Sequence, residues 1–233
     1  TYDQLLIENN LFDTEDYGIE ISCNLMDNSM DDTEIVSNSF ETQNIGISLM
    51  SCKGTTAIRD NNINTTNIGI NLYESEANIE NNIVIGACNL DSCSKVSFNK
   101  VAEIGINSDK NSESFISNNI LKNFFTSIEA ENSVTDIRGN KINFTNSGIH
   151  IRNSDANVIL NYINNSYYGI ISSDSSLQTS GTEMNTFDIG IRSFNSSIDL
   201  EYVIMNQGRL CMYYVDSNYT ISNYQNLNCS ESI

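Results

Sequence analysis

The chain has 233 residues, among them 37 Asn, 32 Ile and 31 Ser, with no Pro, no Trp and a single His. Thirty acidic residues against 11 Lys and Arg give a net charge of -19, which repels nucleic-acid phosphates and anionic lipid headgroups, so neither is an expected partner. The longest apolar runs, such as Ile83 to Ile85, cover a few residues where a spanning helix needs about 20, so no membrane insertion is expected.

Taken in chain order, the first feature is Thr1 with no charged and apolar leader behind it: either an export signal has been removed or the sequence belongs to a longer product. A repeat starts within the first ten positions, where Leu5 to Asn10 matches Ala77 to Asn82. An Asn followed two places later by an apolar residue recurs at Asn9, Asn38, Asn61, Asn81, Asn99, Asn118, Asn140, Asn161 and Asn185, and continues imperfectly over 202–233. Several residues after each comes a small residue and Ile: Gly18-Ile19, Gly46-Ile47, Gly69-Ile70, Gly105-Ile106, Ser127-Ile128, Gly148-Ile149, Gly169-Ile170 and Gly190-Ile191. Asn89-Leu90 and Cys211-Met212 fill the two places where that pair is missing.

Between these markers apolar residues alternate, as in Ile19/Ile21, Ile47/Leu49 and Ile149/Ile151, which is strand periodicity with one buried face. β-Branched residues fill the short runs, while Asn, Asp, Ser and Gly fill the joints. Such short strands bury a face only if successive turns of chain stack on one another. The expected fold is therefore an all-β solenoid of about 10–11 parallel coils, a single unit spanning 1–233. Its Asn column would both take the left-handed corner conformation and bond along the stack as an asparagine ladder.

On these Asn-x-Ile and Gly-Ile columns the chain resembles the right-handed parallel β-helix repeat proteins, the group with the pectate-lyase-like fold. The resemblance runs from Asn9 to about Asn223 and implies fold far more than function.

Six cysteines are arranged by register. Cys23 with Cys52 and Cys211 with Cys229 fall on adjacent coils, and Cys88 with Cys93 closes a short loop, so disulfides 23–52, 88–93 and 211–229 are expected, with reduced core thiols as the alternative. No zinc centre is expected, because Cys88 and Cys93 lack a second pair and His150 lies far along the rod. Glycosylation sequons stand at Asn64, Asn143, Asn164, Asn195, Asn218 and Asn228, and the first three point outward by their place after a core residue.

The outward residue after each Gly-Ile pair defines one lateral column: Glu20, Ser48, Asn71, Asn107, Glu129, His150, Ile171, Arg192 and Tyr213. Glu129, His150 and Arg192 make the best catalytic cluster in it. A solvated strand face is preferred for them, since Ile171 interrupts the row and no second carboxylate accompanies Glu129. Asp27, Asp31 and Asp32, with Glu34, form an acidic excursion that lacks the register of a dedicated calcium loop, so no metal and no cofactor is expected.

Short connections argue against a substrate groove, and an uncapped first coil argues for a covering partner. The expectation is an extracellular or cell-surface, non-catalytic structural protein whose copies assemble head-to-tail into a filament or layer. The alternatives are a polysaccharide-binding or polysaccharide-cleaving β-helix, for which the resemblance speaks, and a cell-surface or viral adhesin binding a glycan or a receptor without cleavage, through Tyr167, Tyr168, Tyr213 and Tyr214.

Overall fold

The computed structural model describes residues 4–23, 32–86, 102–223 and 226–231. Strands are the regular elements among them, and every strand pair is parallel. Ten strands, from Gln4–Glu8 to Asn218–Ser222, stack into one sheet, so the chain makes about nine turns between the first and the last. A second, 15-stranded sheet supplies the remaining faces of each coil.

The turn count is lower than the sequence suggests because one step is long. Glu76–Glu80 pairs directly with Glu113–Ser117, and Ile83–Gly86 with Ile120–Lys122, so no rung separates them. The coil expected at Asn99, the marker Asn89-Leu90 and the pair Cys88–Cys93 lie outside the described residues.

In the early coils the second sheet consists of two short strands per turn, as in Asn62–Thr65 followed by Ile68–Tyr73. From Lys141–Arg152 onward the two merge into one twelve-residue strand, repeated in Tyr162–Ser173, Glu183–Phe194 and Ile204–Val215. The chain still turns within these strands, where Phe144, Asn165 and Gln207 take positive φ.

Alternation places like over like. Ile35, Ile58, Ile79, Ile116, Ile137 and Val158 are consecutive register partners and fully buried. A second file runs Ile47, Ile70, Ile106, Ile128, Ile149, Ile170 and Ile191. At about 1.5–3 kcal/mol for each buried aliphatic side chain, these files are the main term opposing chain entropy. The glycine column has a steric reason: a Cβ on Gly148 would meet the Gly169 carbonyl oxygen at 2.5 Å and Ile163 Cγ2 at 2.7 Å.

The asparagine ladder is present, but its members are Asn10, Asn38, Asn61, Asn82, Asn119, Asn140 and Asn161. Three of the expected members, Asn9, Asn81 and Asn118, precede the ladder residue and adopt φ of 54–58°. The two tasks assigned to one Asn are thus divided between neighbours: the first residue turns the corner, and the second, buried one bonds along the stack. Asn185 is not in the ladder; Thr182 takes that place, and Asn185 faces outward, bonding Glu183 and Asn206.

A second polar column occupies another corner. The backbone N–H of Cys52 donates to Ser75 Oγ, and Ser75 to Ser112. Ser133, Ser154, Ser175 and Ser196 continue in the same way to Ser217. Cys23 and Cys52 stand at the start of this corner and are bonded, with Cα atoms 5.0 Å apart. Cys211 and Cys229 are bonded on the final coils, with Cα atoms 5.6 Å apart.

Candidate functional site

The outward column has the register derived from the repeat. Glu20 pairs with Ser48, Ser48 with Asn71, Asn71 with Asn107, Asn107 with Glu129, and Glu129 with His150. Beyond it come Ile171, Arg192 and Tyr213. Parallel pairing sets neighbouring members about 4.8 Å apart.

Strands Ala102–Asp109, Phe124–Glu131 and Lys141–Arg152 carry the most chemically charged stretch. Asn107, Glu129 and His150 form one row, and Asp109, Glu131 and Arg152 form a parallel row two residues on, on the same face. Arg152 reaches back to both carboxylates, with Nη2 3.3 Å from Glu129 Oε1 and Nη1 3.3 Å from Glu131 Oε1. Arg152 and Glu131 were missing from the sequence reading because it followed one row only; the residue two places further along each strand shares that face. The premise that no second carboxylate accompanies Glu129 does not hold.

The Glu129 side chain is only 14% exposed. Burial pushes its carboxyl above the usual range, Arg152 pulls it down, and Glu131, Asp109 and Glu103 push it up again. His150 is lowered to about 4, first by burial and then by the Arg152 guanidinium. At neutral pH its imidazole is therefore uncharged. The 3.6 Å from His150 Nδ1 to Glu129 Oε1 is then a polar contact and not an ion pair.

Arg192 is not part of this group. It lies two strands beyond His150, where Nη1 donates to the Tyr168 hydroxyl at 3.1 Å and the guanidinium packs over the rings of Tyr168 and Phe194. Of the expected aromatic row, Tyr167 and Tyr168 meet edge to face and Tyr214 packs against Tyr219. Tyr213 is 42% exposed beside Phe194.

The other side of the coil is not featureless. An open furrow of about 700 Å³ runs along the first sheet, lined by Asn78, Phe115, Asp136, Asn157 and Gln178 in one register column, with Glu113 beside them. The expectation that short connections leave no groove is corrected by it: the furrow is made by the strands and needs no long loops. Arg138 engages Asp136 there and lies over the Phe115 ring.

The remaining expected sites are located as follows. Asn64 bonds Glu41, Asn143 accepts from Asn165, and Asn195 bonds Asp174. Asn164 is half-buried, while Asn218 and Asn228 are exposed on the last coils. Asp27 and Asp31 lie outside the described residues. Asp32 opens the strand Asp32–Val36, and Glu34 is held by Arg59 at 2.8 Å. Among the described residues no group of three or more His, Cys, Asp or Glu side chains is placed to hold a metal ion, and no helix is long and apolar enough to cross a membrane.

No protein-family model matches the chain, and no curated protein sequence is similar to it. In solved structures the fold is similar to the enzymatically active domain of tailspike protein 2 of bacteriophage CBA120, with a TM-score of 0.56 and 11% identity. That likeness covers 92% of this chain but 43% of the tailspike chain, so this chain spans less than half its length. The solenoid is therefore an established protein architecture that also carries an enzyme. The expectation of a non-catalytic protein is corrected on this finding.

Proposed function

We propose that the protein is an extracellular β-helix that binds and cleaves polysaccharide, with Glu129, Glu131, His150 and Arg152 as its reaction centre. The observation that carries this reading is the largely enclosed Glu129 carboxyl, raised by its surroundings and placed on one face with a second carboxylate, a neutral imidazole and a shared guanidinium. The enzymatic activity of the tailspike domain with the same fold supports it, as do two disulfides suited to an oxidising compartment.

Arg152 contacts both carboxylates at 3.3 Å, so enclosure separates their roles: Glu129, 14% exposed and raised, is suited to give a proton, and Glu131, 33% exposed, to take one. In the proposed hydrolysis Glu129 protonates the glycosidic oxygen as its bond to the anomeric carbon breaks. Glu131 removes a proton from the water that attacks that carbon, so one water is consumed and one new reducing end appears. His150, neutral and half-enclosed, orients the substrate by hydrogen bonding, and Arg152 positions Glu131 through their ion pair.

The test is incubation of the purified protein with a panel of bacterial and plant polysaccharides, scoring new reducing ends and unsaturated ends separately. Glu129→Gln should lose cleavage by at least about 100-fold, the usual scale for a general acid. Glu113→Gln, in the furrow of the first sheet, should retain it. Absence of cleavage across the panel, or full activity in Glu129→Gln, would overturn the reading, and unsaturated ends would replace hydrolysis by elimination.

A further inference from the structure

Five arginines occur in the chain, and four of them contact carboxylates: Arg59 with Glu34, Arg138 with Asp136, Arg152 with Glu129 and Glu131, and Arg209 with Asp188 and Glu231. Arg192 has no ion pair among the described residues, in a molecule of net charge -19 rich in possible partners. Its contacts are instead the Tyr168 hydroxyl at 3.1 Å, the Tyr168 ring at 5.1 Å and the Phe194 ring at 4.7 Å. The register neighbours on either side are Ile171 and Tyr213, neither of them acidic.

Aromatic packing holds a guanidinium in place without consuming its charge, and one N–H of five is committed to Tyr168. A planar fork with free donors, fixed beside an exposed tyrosine ring, matches a carboxylate on a sugar: two parallel hydrogen bonds to the anion, and ring stacking on Tyr213. Net negative charge does not forbid such a ligand. At physiological salt, charges more than about 8 Å away are largely screened, so the local cation decides.

From these contacts we propose that Arg192, with Tyr168, Phe194 and Tyr213, is a binding subsite for a carboxylate-bearing sugar, and that the substrate is an acidic glycan. This rests on the proposed cleavage at Glu129. The glycan then runs along the solenoid axis, parallel to the column Glu129, His150, Ile171, Arg192. Three strand steps of about 4.8 Å separate Glu129 from Arg192, so the acidic sugar recognised lies a few residues along the chain from the bond that is cut.

The experiment is titration calorimetry on Glu129→Gln protein, which leaves the ligand intact. The probes are oligosaccharides of uronic acids and of sialic acid, their methyl esters, a sulfated oligosaccharide and neutral oligosaccharides of equal length. At least one acidic probe should bind about tenfold or more tightly than its own ester, the scale of a charge-assisted hydrogen bond. Adding Arg192→Gln should bring that ratio to about one, with Arg192→Lys keeping part of it. The proposal is overturned if no acid outbinds its ester, if the preference survives Arg192→Gln, or if the sulfated probe binds more tightly than every carboxylated one. Loss of the cleavage reading is distinguishable, since wild-type protein would then bind the acidic probe with the same ratio and leave it whole.

Discussion

Asn140 and Asn161 share one oxygen: Asn161 Oδ1 accepts both the backbone N–H of Asn140 and its Nδ2, each at 3.0 Å. Asn140 Nδ2 also donates to the Ile116 carbonyl at 2.9 Å, and Asn140 Oδ1 accepts from Asn119 N and Nδ2. One buried side chain thus ties together the turns on either side of its own: its truncation takes the acceptor from Asn119 N and Nδ2 and the donor from the Ile116 carbonyl, and removes one of the two donors to Asn161 Oδ1.

Asn140→Ala should therefore cost about 3–5 kcal/mol, since several buried polar groups lose their partners at about 1–3 kcal/mol each. Asn185→Ala, which removes only outward bonds to Glu183 and Asn206, should cost less than about 1 kcal/mol. Urea unfolding of both variants provides the comparison. Equal losses would mean that the ladder does not bear on stability.

Corner conformation gives a prediction of opposite sign. Leu160 holds φ at 56° and is 68% exposed, so it bears the left-handed backbone without the benefit of burial. A left-handed residue with a branched side chain costs about 1–2 kcal/mol, and Asn tolerates that region better. Leu160→Asn should raise stability by about 0.5–1 kcal/mol and shift the thermal midpoint upward.

How much of this was legible in the sequence depends on what each column must do. The strand period, the inward isoleucines and the register from Glu20 to Tyr213 follow from side-chain alternation, which chain geometry leaves little room to alter. The ladder was misplaced by one residue at Asn9, Asn81 and Asn118 because each stands before a second Asn, and composition cannot tell a corner residue from a buried one. The serine corner was overlooked although Ser133, Ser154, Ser175, Ser196 and Ser217 recur every 21 residues. Serine is common in this chain, and the signal lies in its phase. Arg152 and Glu131 were missed because one row alone was followed: strand alternation already places both on the face of Glu129, and only the choice of carboxylates that the guanidinium reaches is left to packing.

The disulfides join Cys23 to Cys52 across the first coils and Cys211 to Cys229 across the last described ones. Each closes a loop of modest length, worth about 2–4 kcal/mol of stability. In a stack where each coil contacts mainly its neighbours, the effect should stay local. Reduction should speed amide hydrogen exchange at both ends and leave the middle, from Asn119 to Asn161, protected. Uniform loss of protection would show that the coils unfold as one cooperative block.

The pH dependence turns on His150 and Glu129, whose shifts work in opposite directions. His150 has its ordinary value of 6.5 lowered to about 4 by burial and Arg152, so between those values the unfolded chain takes up a proton that the folded chain refuses. Its contribution is intact above about pH 6.5 and is lost as the pH falls toward 4. Glu129, raised by burial, behaves in reverse: protonation favours the folded state, and that contribution declines as the pH rises through its shifted value. At about 1.4 kcal/mol for each pKa unit, reduced because the imidazole retains some solvent contact, His150 should account for about 1–2 kcal/mol of the stability lost between pH 7 and pH 5. In His150→Gln that part of the acid-side fall should vanish, read as a smaller shift of the urea midpoint between the two pH values. An identical fall in the variant would mean that the imidazole titrates alike in the folded and the unfolded chain, so that its enclosure beside Glu129 and Arg152 does not hold it neutral on the acid side.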